Sequence, residues 1–182
     1  MECRSATKNN IQEIKIELRK AKEKKYSGNF LKGFPWNSTD WCKCDLKGTN
    51  LGDLYLFWDG CGWGESKDIP PRMLEVGVKD FKRIADNQNQ ENPYHLKKII
   101  KYMKKNKKAG NSLRGSGTSP ILVSVDKNMP LLILDGNHRL VTYWWKNSGK
   151  DRNSIDKTFW VGFSPNMNNY YYYSRIPSTP IS

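Results

Sequence analysis

The stretch PLLILDGNHRLVTYWW, Pro130 to Trp145, decides how this chain is read. An apolar run ends at Asp135-Gly136, and the polar triplet Asn137-His138-Arg139 follows at once. The first run is a short apolar segment ended by a turn signal, so it reads as a strand buried on both faces. In the second, Leu140, Val141, Trp144 and Trp145 recur at one-turn spacing, so it reads as a helix. The polar residues therefore stand at a strand-to-helix switch between two segments that favour burial.

That position has chemical uses. Gly136 permits a sharp turn and close approach of a ligand. Asn137 is a favoured N-cap. The first N–H groups of a helix point outward, and the helix dipole favours an anion there. Arg139 adds paired donors for a phosphate, and His138 can pass a proton near neutral pH. Asp135, at the strand end, can act as base or hold a metal or water. The expected site is thus Asp135, His138 and Arg139 as catalytic groups, with Gly136, Asn137 and Arg139 on a phosphate. A plain turn, a plain cap and a surface ion pair would account for each residue singly. Their succession in one switch favours an anion site.

The composition agrees with a polyanionic partner. The 182 residues carry a formal net charge of +13, and aromatic residues make up 12% of them. Such a field attracts nucleic acid, and such aromatic content belongs to a folded chain. The segment PYHLKKIIKYMKKNKKAG sets Leu96, Ile99, Ile100 and Met103 on one helical stripe. Lys97, Lys98, Lys101, Lys104, Lys105, Lys107 and Lys108 fill the rest with no acid among them. Unpaired like charges repel, so the face is expected to track phosphates, with Arg114 in the Gly/Ser loop beyond it. His95 is read as structural. Trp58, Trp63, Tyr170 and Tyr172 are candidates for stacking on bases, whereas Trp144 is read as core.

The opening MECRSATKNN has no apolar signal core, and no apolar run approaches the about 18 residues of a membrane span. A cytoplasmic protein off the membrane is expected, with Cys3, Cys42, Cys44 and Cys61 reduced. The Cys42-x-Cys44 spacing fits no usual zinc knuckle.

Elsewhere, Asn10 with Glu13 reads as a capping box for a helix from Asn10 to Tyr26. The segment from Asn29 to Pro71 is irregular, with a strand at Asp53 to Trp58. PILVSVD and PLLILDG read as a hairpin across Lys127-Asn128, TFWVGF as a further strand, and the Tyr-rich end as an irregular tail. The fold class is α+β, a small mixed sheet with packed helices. Residues 1–72 form an N-terminal helix and Trp/Gly-rich extension, and 73–182 the core and tail.

The run from Tyr94 to Gly149, with VGVKDFKRI before it, resembles the ParB/sulfiredoxin-like superfamily, in which ParB-like nucleases occur. The order helix, loop, strand, strand, ILDGNHR, helix carries the likeness, over about Met73 to Phe163. Sulfiredoxins resemble the motif but place a catalytic cysteine where Asn137 stands. The resemblance implies a ParB/sulfiredoxin-like core, VGVKDFKRI as its opening strand and turn, and a phosphate bound at Asp135 to Arg139. It favours a nuclease on DNA, to which a divalent metal such as Mg²⁺ would belong; otherwise no cofactor is called for. The alternatives are a DNA glycosylase excising a flipped base, a non-catalytic nucleic-acid-binding module, and an ATP-dependent small-molecule kinase. A small basic enzyme of this kind would suit a phage or defence system.

Overall fold

The computed structural model describes residues 1–23, 31–46, 50–56, 71–86, 97, 100–101, 104–105, 119–147 and 158–177. Its elements are β1 (Glu2–Ser5), α1 (Lys8–Glu23), β2 (Asp40–Asp45), β3 (Tyr55–Leu56), β4 (Arg72–Met73), α2 (Leu74–Asp86), β5 (Ile121–Ser124), β6 (Leu132–Asp135), α3 (Asn137–Asn147) and β7 (Thr158–Phe163). The strands join in one mixed sheet, ordered β1-β2-β7-β5-β6-β3-β4. β5 runs parallel to β7, and β6 parallel to β3, while the other pairings are antiparallel. The chain is therefore α+β with a mixed sheet. Strands from 1–56 share this sheet with strands from 121–163.

Two apolar layers cover the sheet. On one face Ile14 and Leu18 of α1 pack with Phe34, Trp41, Ile121, Val123, Leu132, Leu134, Met167 and Tyr170. On the other, Leu74 and Val78 of α2 and Leu140, Val141 and Trp144 of α3 pack with Leu122, Ile133, Phe159 and Val161. Strand side chains alternate between faces, so β5 and β6, with helices on both sides, are apolar almost throughout. Lys127-Asn128 does close the β5–β6 hairpin: the Asn128 N–H donates to the Asp126 carboxylate at 2.7 Å, an Asx turn in place of Asn-Gly.

Several expectations change. α1 begins at Lys8, because Thr7 and not Asn10 is its cap. The Asn10 N–H donates to Thr7 Oγ1 at 3.3 Å, and the Thr7 N–H donates to Asn10 Oδ1 at 3.2 Å. This is a reciprocal box closed by an amide rather than by Glu13. Of the strand expected at Asp53 to Trp58, the described residues form Tyr55–Leu56. Asn50 caps a 3-10 turn at Leu51–Asp53 by accepting from the Gly52 N–H at 3.1 Å, and Phe57 and Trp58 lie outside the described residues. VGVKDFKRI is not a strand and turn. It belongs to α2, where Leu74 and Val78 share the core-facing stripe and Glu75 bridges Lys79 at 3.3 Å. The tail is ordered from Pro165 to Pro177: Ser164 caps a 3-10 helix at Pro165–Asn169 that buries Met167, and Tyr170 and Tyr173 are buried beyond it.

Cys3 and Cys44 are not reduced thiols. They face each other in the β1–β2 register with Cα atoms 4.0 Å apart and form a disulfide. It ties the edge strand to the sheet across 41 residues of sequence. Cys42 remains a free, half-buried thiol, raised by burial although Lys127 opposes the shift. Cys61 lies outside the described residues.

Two outcomes follow from this packing. Gly162 lies opposite Trp41, and a Cβ there would come within 2.7 Å of Thr39 Cγ2 and 2.9 Å of the Trp41 ring. Gly162→Ala should lower unfolding stability by about 2 kcal/mol in urea titration. Closing so long a loop stabilises by about 4 kcal/mol, so a reductant should lower the urea midpoint of the wild type and leave Cys3→Ser unaffected. An equal response of both proteins would remove the disulfide's role.

Candidate functional site

The site grows from a bulge. Leu122 pairs with Ile133 and Val123 with Leu132, yet Ile121 pairs with Asp135, so β6 carries an extra residue at Leu134. A bulge re-aims the next side chain. Residues paired across strands share a face, and Ile121 packs on the α1 side. Asp135 is therefore turned toward α1 instead of following Ile133 to the α2 and α3 side.

Gly136 then makes the turn. Its φ of 96° lies in the region that L side chains avoid, and a Cβ would meet Pro120 Cβ at 3.0 Å. Its carbonyl accepts from the Leu140 N–H at 2.9 Å, the first bond of α3. Gly136 is thus the N-cap position and Asn137 the first helical residue, so the helix starts one place earlier than expected. The Asn137 side chain instead donates to the Ile133 carbonyl at 3.5 Å, a long contact. His138 is half-buried, and its carbonyl accepts from Thr142 Oγ1 at 2.7 Å.

Arg139 departs most from expectation. Its side chain is 7% exposed, and Nη2 donates to Asp135 Oδ2 at 3.0 Å; the Asp135 side chain is 30% exposed. A buried guanidinium needs a counter-charge, so Arg139 holds the carboxylate rather than standing out as a phosphate clamp. The Asp135 carboxyl titrates above the ordinary carboxylate value. Burial is the largest cause; the Arg139 charge and then the Gly136 N–H oppose it, and Glu17 of α1 adds to it. Glu17 escaped the sequence reading. Its position, three after Ile14 and one before Leu18, does place it beside the buried stripe of α1.

The surface residues divide. Lys97, Lys101, Lys104 and Lys105 are exposed on helical backbone, and Ile100 packs against the α2 and α3 core, as the stripe requires. Lys98, Lys107, Lys108, Arg114, His95, Trp58 and Trp63 lie outside the described residues. Tyr170 is no stacking platform: it is fully buried, 5.3 Å from the Phe34 ring. Tyr172 is half-buried against the same core. The exposed ring of the run is Tyr171, at 49%, with the Arg175 guanidinium 5.1 Å from its centroid. Trp144 is core, as expected.

Among the described residues no group of three or more His, Cys, Asp or Glu is placed to hold a metal ion, and no helix is long and apolar enough to cross a membrane. The fold and site define an α+β protein with a carboxyl–guanidinium pair at a strand-to-helix turn. Comparison with protein-family models, curated proteins and solved structures returned no match.

The pair predicts a titration. Because the folded pKa of Asp135 lies above its unfolded value of 3.8, its contribution to stability is full below that value and is lost as pH rises through the folded pKa. The stability of the wild type relative to Asp135→Asn should therefore fall as pH is raised from about 4. Arg139→Gln removes the main opposing charge, so carboxyl-carbon NMR should place the Asp135 midpoint higher than in the wild type. A lower midpoint would show that Arg139 does not set it.

Proposed function

We propose that this protein is a hydrolase acting on nucleic acid, with Asp135 as the working carboxyl and phosphodiester cleavage of DNA as the reaction. The observation that carries the reading is the bulge-turned Asp135, partly open to solvent, braced by the buried Arg139 and set above the usual carboxylate value. A carboxyl so held can exchange a proton nearer neutral pH than a free one. The charge of +13 and the exposed lysines supply attraction for a polyanion. The motif's resemblance to ParB-like nucleases points the same way.

In this reading the first N–H groups of α3 receive the phosphate. Asp135 takes the proton of the attacking water as its oxygen bonds to phosphorus. His138 returns a proton to the departing oxygen. Arg139 acts through Asp135 by fixing its orientation. The described residues offer no ligand set for Mg²⁺, so no step is routed through a metal.

N-glycosidic cleavage is the second reading, and Glu17 favours it. Two carboxyls with unlike environments suit a reaction in which one protonates the leaving group and the other supports an oxocarbenium-like centre.

The two reactions separate in one assay. The protein is incubated with plain and base-modified DNA, with Mg²⁺ or with EDTA, and Asp135→Asn serves as control. Direct strand breaks lost in Asp135→Asn are expected. Breaks that appear only after alkali would transfer the assignment to a glycosylase. The pH profile gives an independent sign. With Asp135 as base the rate rises with pH through its raised pKa; with Asp135 as acid it falls. Wild-type protein that breaks neither bond under any of these conditions would overturn the hydrolase.

A further inference from the structure

One row of the sheet leads to this site. Across the strands, Arg4 faces Lys43, Lys43 faces Trp160, Trp160 faces Ile121 and Ile121 faces Asp135. Paired residues share a face, and here it is the α1 side: Ile121 and Trp160 pack there, and Lys43 Nζ stands 5.7 Å from the centre of the Trp160 ring. α1 leaves the sheet past Ala6, whose N–H donates to the Trp41 carbonyl at 2.8 Å, and packs Ile14 and Leu18 over the neighbouring residues. It leaves Arg4 and Lys43 exposed and Trp160 half-buried.

The charges in this row are sorted against the fold's own stability. Like charges directly opposite on adjacent strands destabilise the pair. Here Arg4 opposes Lys43, and in the next row outward Glu2 opposes Asp45. Exchanging Arg4 with Glu2 would set each cation against an acid. Among the described residues, no ion pair within 4.0 Å takes in Arg4 or Lys43. The two cations instead occupy the inner row, beside an aromatic ring and in line with the working carboxyl. The disulfide one residue away, on the opposite face, holds β1 in that register.

We infer that Arg4, Lys43 and Trp160 form a binding subsite for single-stranded nucleic acid, with a base on the Trp160 ring and a backbone phosphate between the two cations. A flat ring beside paired cations matches the alternation of base and phosphate along a single strand. At about 4.8 Å per strand, Trp160 stands about 10 Å from Asp135, within the reach of a neighbouring nucleotide. The acidic row of Glu2 and Asp45 bounds the subsite on its outer side. This inference rests on the reading of Asp135 as a nucleic-acid site.

The test is binding of fluorescein-labelled oligothymidine to the full chain, followed by anisotropy across a salt series. Arg4→Gln with Lys43→Gln should reduce the salt slope by about 0.7, the value for one phosphate contact on a single strand. Trp160→Leu should weaken binding about tenfold with the slope kept, and Trp160→Phe should retain most of the affinity. Urea midpoints near wild type show that the variants are folded. Lys97→Gln with Lys101→Gln and Lys104→Gln is the internal control. A slope lowered by the control but unchanged by Arg4→Gln with Lys43→Gln overturns the subsite and leaves the nucleic-acid reading standing. Absence of salt-dependent binding by the wild type overturns both. Polyglutamate competing as well per charge as oligothymidine, with Trp160→Leu silent, assigns the patch to an acidic peptide and overturns the subsite.

Discussion

Leu122 and Ile133 point to one face of the central hairpin, and Ile121, Val123, Leu132 and Leu134 to the other; all are buried. Each such side chain gains about 1.5–3 kcal/mol on leaving water. A hairpin with that requirement on both faces is stable only when covered twice. α1 and the Tyr170–Tyr173 segment cover one side, and α2 and α3 the other. The remaining strands extend the sheet on either side of the hairpin, and β1 is tied to β2 by the Cys3–Cys44 disulfide.

The same burial holds the site still. The β6–α3 turn hangs between two packed layers, so Gly136 keeps its positive φ against Pro120 and Arg139 is drawn inside. A guanidinium brought so far from water must be neutralised, and Asp135 is the partner in reach because the bulge has turned it there. Arg139 and Asp135 therefore form a unit in which the carboxyl neutralises the buried guanidinium and the guanidinium orients the carboxyl and opposes the upward shift that burial gives it.

Much of this was legible in the residues. The apolar run ending at Asp135, the helix from Asn137, the hairpin across Lys127-Asn128 and the strand TFWVGF all follow from period and turn chemistry, which act over a few residues. Most of the readings that failed needed a partner distant in sequence; the cap of α1 is the exception. Val76 to Ile84 could be strand or helix until Leu74 and Val78 found a core to face. Tyr170 and Tyr171 are alike as letters, and only the Phe34 pocket puts one inside and leaves the other out. Asn10 and Thr7 compete for one cap, and Thr7 holds the cap position because helical backbone starts at Lys8.

By itself the sequence determined the α+β class, the strand-to-helix switch at Asp135-Gly136 and the basic character of the surface, since all three arise from local pattern and composition. Tertiary structure alone decided that Arg139 braces a carboxylate, that Glu17 adds its charge to Asp135, and that Arg4, Lys43 and Trp160 stand in one row with it. Those relations depend on strand register, on one extra residue in β6 and on the path of α1. The Glu17–Asp135 and Lys43–Trp160 relations join segments more than a hundred residues apart, and the Asp135–Arg139 pair, though only four residues apart, forms because the bulge and the packing of the sheet turn and bury it.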